Sequence, residues 1–249
     1  MTEQIDAMQS ITPNETAAKQ APKNDYSFTF ATLEDVDALV TLHYKCFTEA
    51  DHIAMEFGKR FIYSTYRWFV TSPGSFVVVA KQGENLVGFQ SVSAFPYDGR
   101  MLLASRREAF IGLLSRPWLV FHPELLRRLF GLLLRRHKKI LDHKKIGQLA
   151  FVGVDPGIQG KGIGKAIIKA TVTICRERGM DELITGVLKH NTRSIAMLEG
   201  AGLVIAPELE TKRYVYLRMN LAQSDPYMNG LSKKALETSA SLRTGDQAN

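Results

Sequence analysis

The sequence predicts an α+β (mixed α/β) fold in which a mixed sheet is flanked by helices and interrupted by a basic helical insertion. Three observations carry that expectation. Short segments that alternate or run apolar, as strands do, are interleaved with longer stretches of helical apolar period. A glycine-rich loop joins one such strand to one such helix, and a single segment holds the chain's excess positive charge. A length of 249 residues is ample for a substantial core. With 45% apolar and 23% charged residues, a wholly disordered or fibrous chain is excluded.

Residues 1–25 are polar, carry Pro13 and Pro22, and show no apolar period, so they read as a disordered leader. The globular domain is expected over 26–220. Residues 26–30 alternate as a half-buried strand does. Thr32 followed by Asp35 is a capping-box signature, and Leu33, Val36, Leu39, Val40 and Phe47 then keep a helical period. A second helix is expected over 55–70, stopping at Ser72-Pro73-Gly74. Residues 76–80 and 86–95 read as strands joined at Gln82-Gly83-Glu84-Asn85. Helices rich in leucine and arginine follow. Residues 149–154 read as a buried strand ending at Asp155-Pro156-Gly157, and the glycine-rich loop leads into a helix over 163–178 closed by Gly179. A strand (182–188), a helix (191–200) and a hairpin strand (213–219) complete the domain. Residues 221–249 form a polar tail that reads as disordered.

The loop Gln159-Gly160-Lys161-Gly162-Ile163-Gly164-Lys165 is the informative stretch. Glycines let successive backbone N–H groups turn toward one point, and a helix N-terminus adds partial positive charge, a combination suited to phosphate or pyrophosphate. Lys161 and Lys165 strengthen that reading. Two nucleotide motifs fail. A P-loop would need glycine at Gln159 and Ser/Thr at Ala166, and a dinucleotide fingerprint begun at Gly162 would need glycine at Ile167. The competing reading is a glycine-rich turn with no ligand.

At these residues the chain resembles the GCN5-related N-acetyltransferase (GNAT) superfamily. Its acyl-CoA motif, Arg/Gln-x-x-Gly-x-Gly/Ala, is matched by Gln159, Gly162 and Gly164, and the preceding V-x-P by Val154-Asp155-Pro156. A second motif is approximated by the run from Asn191 through Ser194, Met197, Leu198 and Glu199 to Gly202-Leu203. The resemblance spans about 26–220 and implies a mostly antiparallel sheet. It also implies acetyl-CoA as co-substrate. Val152, Gly153 and Val154 would contact pantetheine. Gln159, Gly160, Lys161, Gly162, Ile163, Gly164 and Lys165 would take the pyrophosphate, and Asn191 would touch the pantetheine arm. An amine would then attack the acetyl group directly.

The catalytic residues are unassigned. Where the family often has a tyrosine acid, this chain has Leu198, for which His190, Tyr214 or Tyr216 could substitute. No carboxylate lies in residues 148–154. Asp155, Glu49, Asp51, His52 and Glu56 are the nearest candidates for a base. Cys46 and Cys175 sit among apolar neighbours and read as structural, and the six scattered histidines form no metal-ligand spacing, so no metal is expected. A noncatalytic acyl-CoA-binding module, or transfer to a hydroxyl or of a longer acyl chain, stays open beside N-acetylation.

Residues 100–145 carry twelve Lys/Arg against Glu108, Glu124 and Asp142, a local net charge of +9 within a chain total of +7. The insertion, about 97–145, places Leu125, Leu129, Leu132 and Leu133 on one face flanked by Arg127, Arg128, Arg135 and Arg136. Three functional readings compete: packing over the acceptor cleft to shape an anionic acceptor site, contact with an anionic membrane surface, and binding of nucleic acid or ribosomal partners; the plain alternative is a helical lid whose leucines complete the core and whose arginines are solvated. No RNA-binding aromatic motif accompanies the charge, which speaks against nucleic acid. No apolar run approaches the roughly 20 residues of a membrane span, and the N-terminus lacks the pattern of a secretory signal. The expectation is a soluble cytoplasmic protein, with peripheral membrane contact left open.

Overall fold

Seven strands form one sheet of order β1-β2-β3-β4-β5-β7-β6 in the structure, a computed structural model that describes residues 26–49, 52–94, 96–122, 126 and 145–221. The expected leader and tail, and the arginines Arg127, Arg128, Arg135 and Arg136, lie outside the described residues. The strands are β1 (Ser27–Phe30), β2 (Ser75–Gln82), β3 (Asn85–Ala94), β4 (Ile146–Val154), β5 (Glu182–Leu188), β6 (Val204–Ile205) and β7 (Tyr214–Asn220). The helices are α1 (Val36–Cys46), α2 (Lys59–Thr71), α3 (Asp98–Ala104), α4 (Arg106–Ser115), α5 (Ile163–Glu177) and α6 (Thr192–Gly200). All strand pairs are antiparallel except β4 with β5.

Helices α1 and α2 cover one face of the sheet, hereafter the front. Their buried stripe of Val36, Leu39, Val40, Phe61, Ile62, Tyr66 and Phe69 meets Val77, Val79 and Phe89 from the strands. The other face packs Val78, Val92, Leu149 and Leu183 against Ile168, Val172 and Cys175 of α5 and Leu198 of α6. Removing one of the fully buried rings, such as Phe89, would cost about 3–5 kcal/mol.

Two local devices position α1 and α2. The Asp35 carboxylate accepts the Thr32 N–H at 2.9 Å, the backward half of a capping box, and pairs with Lys81 at 2.7 Å. Burial raises the Asp35 carboxyl, but the Lys81 and Thr32 hydrogen bonds outweigh it and hold the group below its usual range. The second helix starts later than its apolar period suggests. Ile53–Phe57 forms a 3-10 turn and Gly58 adopts φ 88, a left-handed conformation that an α-helix cannot contain, so α2 begins at Lys59.

The sheet divides at its one parallel junction. Strand β4 pairs with β5 only at Ile146↔Glu182, Gly147↔Leu183 and Gln148↔Ile184. Past that point β4 continues against β3 alone, and β5 against β7 alone. A bulge in β4 sets two residues, Ala150 and Phe151, opposite the single residue Ser91, which bends β4 away from β5.

Candidate functional site

The gap between β4 and β5 is a notch lined by backbone. Its base is closed by a side chain, since the Thr185 hydroxyl donates to the Leu149 carbonyl at 3.0 Å where the strand ladder stops. Successive strand residues turn their N–H and C=O groups to opposite edges. Gly153 faces Phe89 on β3, and the Asp155 N–H reaches the Val87 carbonyl at 2.9 Å. Val152 and Val154 therefore aim their backbone groups into the notch. Gly153 is needed for a different reason. A Cβ there would lie 2.7 Å from the Phe89 ring and 3.1 Å from Cys46 Sγ, so the front core leaves no room for one.

The glycine-rich loop closes the end of the notch. Asp155 initiates the turn by accepting the Gly157 N–H at 2.9 Å, and Gln159 Nε2 folds back onto the Val154 carbonyl at 2.9 Å. The Cys46 thiol donates to the same carbonyl at 3.3 Å. Gly160 and Gly162 adopt φ 84 and φ 80, and nothing lies within 4 Å of a Cβ built at either, so conformation rather than crowding calls for glycine. Helix α5 begins at Ile163 with Gly162 as its N-cap and no side-chain cap. The amides of Ile163, Gly164 and Lys165 thus form the uncapped positive end of a fifteen-residue helix. Lys161 and Lys165 are exposed beside them. Gly164 packs against α6, where a Cβ would fall 2.6 Å from Met197 Sδ.

On the front, three side chains form a hydrogen-bonded chain. Tyr66 Oη lies 2.7 Å from His43 Nδ1, and His43 Nε2 lies 3.0 Å from His52 Nδ1. Phe47, Phe89 and Phe151 surround His43, and the His52 ring lies against Phe151 with centroids 4.8 Å apart. Burial, with the nearby His52 charge as a smaller cause, pulls the His43 imidazole down to about 3, and burial pushes the Tyr66 phenol well above its ordinary range. Both are neutral at physiological pH. From the sequence the six histidines read as scattered and His52 alone as a candidate base, so the pairing with His43 was missed. The available signal was His43's place four residues after Leu39 and three after Val40, on the buried stripe of α1.

The sequence-nominated catalytic candidates are dispersed. Asp155 is committed to the Gly157 N–H and to Lys45 at 3.0 Å, and these bonds hold its carboxyl below the usual range. Glu49 and Glu56 both engage Arg116, at 3.5 and 2.5 Å, and Asp51 lies outside the described residues. His190 stands in an exposed turn after β5. Tyr214 and Tyr216 are on β7, one strand beyond the notch, with the Tyr216 ring lying over Gly186 of β5. Asn191 caps α6 by accepting the Ser194 N–H at 3.1 Å. Leu198 is 2% exposed in the rear core, so that position turns inward rather than toward the notch. Burial raises the Cys46 thiol to about 11 and the Cys175 thiol to about 12, leaving both protonated. Among the described residues no cluster of His, Cys, Asp or Glu could hold a metal. An open groove lined by Asp37, Lys59, Arg60, Tyr63, Arg67 and Glu108 lies on the outer side of α2, away from the sheet.

Comparison with known proteins bears on the family and the fold. The pattern of the acetyltransferase (GNAT) family matches residues 36–203. A mycothiol acetyltransferase from Saccharomonospora viridis is 30% identical over 113 residues, 45% of this chain and 32% of that protein. One from Beutenbergia cavernae is 38% identical over 56 residues, 22% of this chain and 19% of that protein. The chain thus spans about a third or less of the curated relatives it matches. Among solved structures, the PaiA N-acetyltransferase from Thermoplasma acidophilum in complex with coenzyme A superposes with a TM-score of 0.52 at 12% identity, covering 79% of this chain and 99% of that one. The GNAT domain of S. lividans PAT gives 0.50 at 14% identity, covering 78% and 89%. At such identities the likeness is one of fold.

Proposed function

Because the chain belongs to the acetyltransferase (GNAT) family, we propose that it moves an acetyl group from acetyl-CoA directly to an amine of an acceptor yet to be identified. The observation that carries this reading is the continuity of two features. A notch whose edge presents the backbone of Val152 and Val154 runs into a glycine-rich loop that leads to the uncapped start of α5. The notch suits an extended arm with amide groups, such as pantetheine, and the loop suits a pyrophosphate. A thioester carbonyl beside the Val154 N–H would gain an oxyanion donor worth a few kcal/mol in the transition state. Asn191 Oδ1 is occupied by its cap, so its contact to the arm would come from the amide nitrogen.

Isothermal titration of acetyl-CoA and CoA into wild-type protein and a Gly162→Glu/Gly164→Glu variant tests this directly. Micromolar binding that disappears in the still-folded variant supports it, and no binding by folded wild-type protein would withdraw the enzyme reading. Binding without thiol release across a panel of amines would favour the noncatalytic acyl-CoA module. Release with alcohols, or only from longer thioesters, would favour the other acyl transfers.

A second feature bears on location. Leu103, Phe110, Leu114, Trp118 and Phe121 are each more than 60% exposed, and all fall in α3, α4 and the 3-10 turn Pro117–Phe121. Helix α4 is held to the domain by Gly112, which packs against the Phe57 backbone, while Phe110 and Leu114 stay exposed. Exposed Arg106 and Arg107 open this helix within the segment of +9 net charge. Aromatic and leucine side chains flanked by arginine are what an anionic bilayer surface binds. This supports a cytoplasmic protein that visits the membrane periphery. No described helix is long and apolar enough to cross a membrane.

A further inference from the structure

The groove on the outer side of α2 takes no part in the proposed transfer, yet it is lined by charges of both signs. Helix α2 contributes Lys59, Arg60 and Arg67, and the flanking helices contribute Asp37 from α1 and Glu108 from α4. Among the described residues no ion pair joins any of these five side chains to a partner. Nor does the core account for the cations. Helix α2 is anchored by Phe61, Ile62, Thr65, Tyr66 and Phe69, and it carries no acid of its own that could balance them. Arg60 and Arg67 share one face, about 10.5 Å apart along the axis, with Ser64 between them. The Ser64 hydroxyl donates to Ser105 at 3.0 Å, which ties the start of α4 to α2 and walls the groove on that side.

Helix α4 relates this groove to the exposed apolar surface. At about 3.6 residues per turn, Ser105, Glu108 and Gly112 share the side that faces α2 and the turn before it. Phe110 and Leu114 lie on the opposite side and are exposed. A helix on a bilayer sinks about 5–10 Å to the boundary of headgroups and acyl chains, and is itself about 10 Å across. With Phe110 and Leu114 at that boundary, the groove side of α4 lies level with the headgroups.

We infer that this groove seats a phospholipid headgroup that carries an ammonium beside its phosphodiester. The inference rests on the membrane contact proposed above. Arg60 and Arg67, helped by Lys59, take the phosphate, because a guanidinium fork bonds two phosphate oxygens at once. Asp37 and Glu108 take the ammonium. A bare phosphate would account for the cations and leave both carboxylates opposing it, whereas a headgroup of both signs uses all five. The apolar side of α4 supplies area against the acyl chains, and the groove supplies selectivity.

Dihexanoyl phosphatidylserine, kept monomeric, presents the headgroup without a membrane. We expect it to shield Arg60 and Arg67 from phenylglyoxal in peptide mapping, while Arg106 and Arg107 react at their unprotected rate. Dihexanoyl phosphatidylglycerol has the phosphodiester but no ammonium, and should need at least tenfold more lipid for the same shielding. That preference should vanish in Asp37→Asn/Glu108→Gln. On phosphatidylserine vesicles, Arg60→Gln/Arg67→Gln should weaken co-sedimentation tenfold or more, against less than threefold for Arg106→Gln/Arg107→Gln, which removes the same charge. CoA affinity should stay within twofold of wild type in all three variants. Equal losses in the two arginine variants, no shielding by monomeric lipid, equal shielding by inorganic phosphate, or a preference that survives loss of both carboxylates overturns the inference. Wild-type protein that does not co-sediment with the vesicles at all instead overturns the membrane reading on which it rests.

Discussion

Acidification from pH 7 to pH 5 should cost the folded protein about 2 kcal/mol through one side chain, His43. The ring is 1% exposed, and burial together with the His52 charge sets its folded pKa near 3 against 6.5 in the unfolded chain. Between those values the unfolded chain binds the proton and the native protein does not. Stability is therefore full above pH 6.5 and declines as pH falls, by about 1.4 kcal/mol per unit. At pH 5 the deficit is about 1.5 units' worth, equivalent to a fall in Tm of about 4–8 °C. The groups that face His43 do not compete in this window, except His52 itself: Tyr66 and Cys46 are both shifted upward. Despite its burial, Asp35 is held below the ordinary carboxylate range by its Lys81 and Thr32 hydrogen bonds and Asp155 by those from Gly157 and Lys45, so both shifts run away from this window. Urea unfolding of wild-type protein and His43→Gln at pH 7, 6 and 5 isolates the effect, because the comparison is of slopes rather than absolute stabilities. A wild-type stability that stays level between pH 6.5 and 5, or an equal slope in the variant, would refute the argument.

Three further outcomes follow from the same structure. Thr185→Val keeps the side-chain shape but strips the Leu149 carbonyl of its donor at the base of the notch, and should destabilise by about 1–3 kcal/mol in urea titrations. Both thiols, raised to about 11 and about 12, should resist Ellman's reagent at neutral pH until the protein is denatured, whereupon two equivalents react. Wild-type protein should co-sediment with phosphatidylserine vesicles at low salt, and a Leu114→Ser/Trp118→Ser/Phe121→Ser variant should not. Wild-type protein that stays in the supernatant disposes of membrane contact.

The elements that repeat a period were readable from the sequence, and the features that depend on two distant segments were not. The strands around 76–80 and 182–188 and the helix after Gly162 follow from apolar runs, turn residues and the left-handed glycines Gly83, Gly162 and Gly179. The start of α2 was misplaced because Met55 and Phe57 continue an apolar pattern that Gly58 interrupts by conformation. The notch left no local mark, since whether β4 stays beside β5 is decided by a bulge opposite Ser91 and by where β7 takes over the pairing. The His43–His52–Tyr66 chain was invisible for a similar reason. Its members come from a helix, a loop and a second helix, and only packing against Phe89 and Phe151 brings them together. Gly153 shows the opposite case, a residue nominated for ligand contact whose lack of a side chain is dictated by the Phe89 ring.

The junction at Ile146–Gln148 also has a mechanical meaning. Strands β1 to β4 and strands β5 to β7 are two rafts moored to one another along three residue pairs and one threonine hydroxyl. Such a seam is where sub-global opening begins most easily, so amides of residues 150–154 should exchange with solvent sooner than those of β2, which is paired on both sides. A ligand arm lying in the notch would span both rafts and act as a brace. Occupancy at a hundred times Kd would then add about 2.7 kcal/mol to unfolding. Donor supply would in this way set not only the rate of turnover but how long the two halves of the sheet stay fastened.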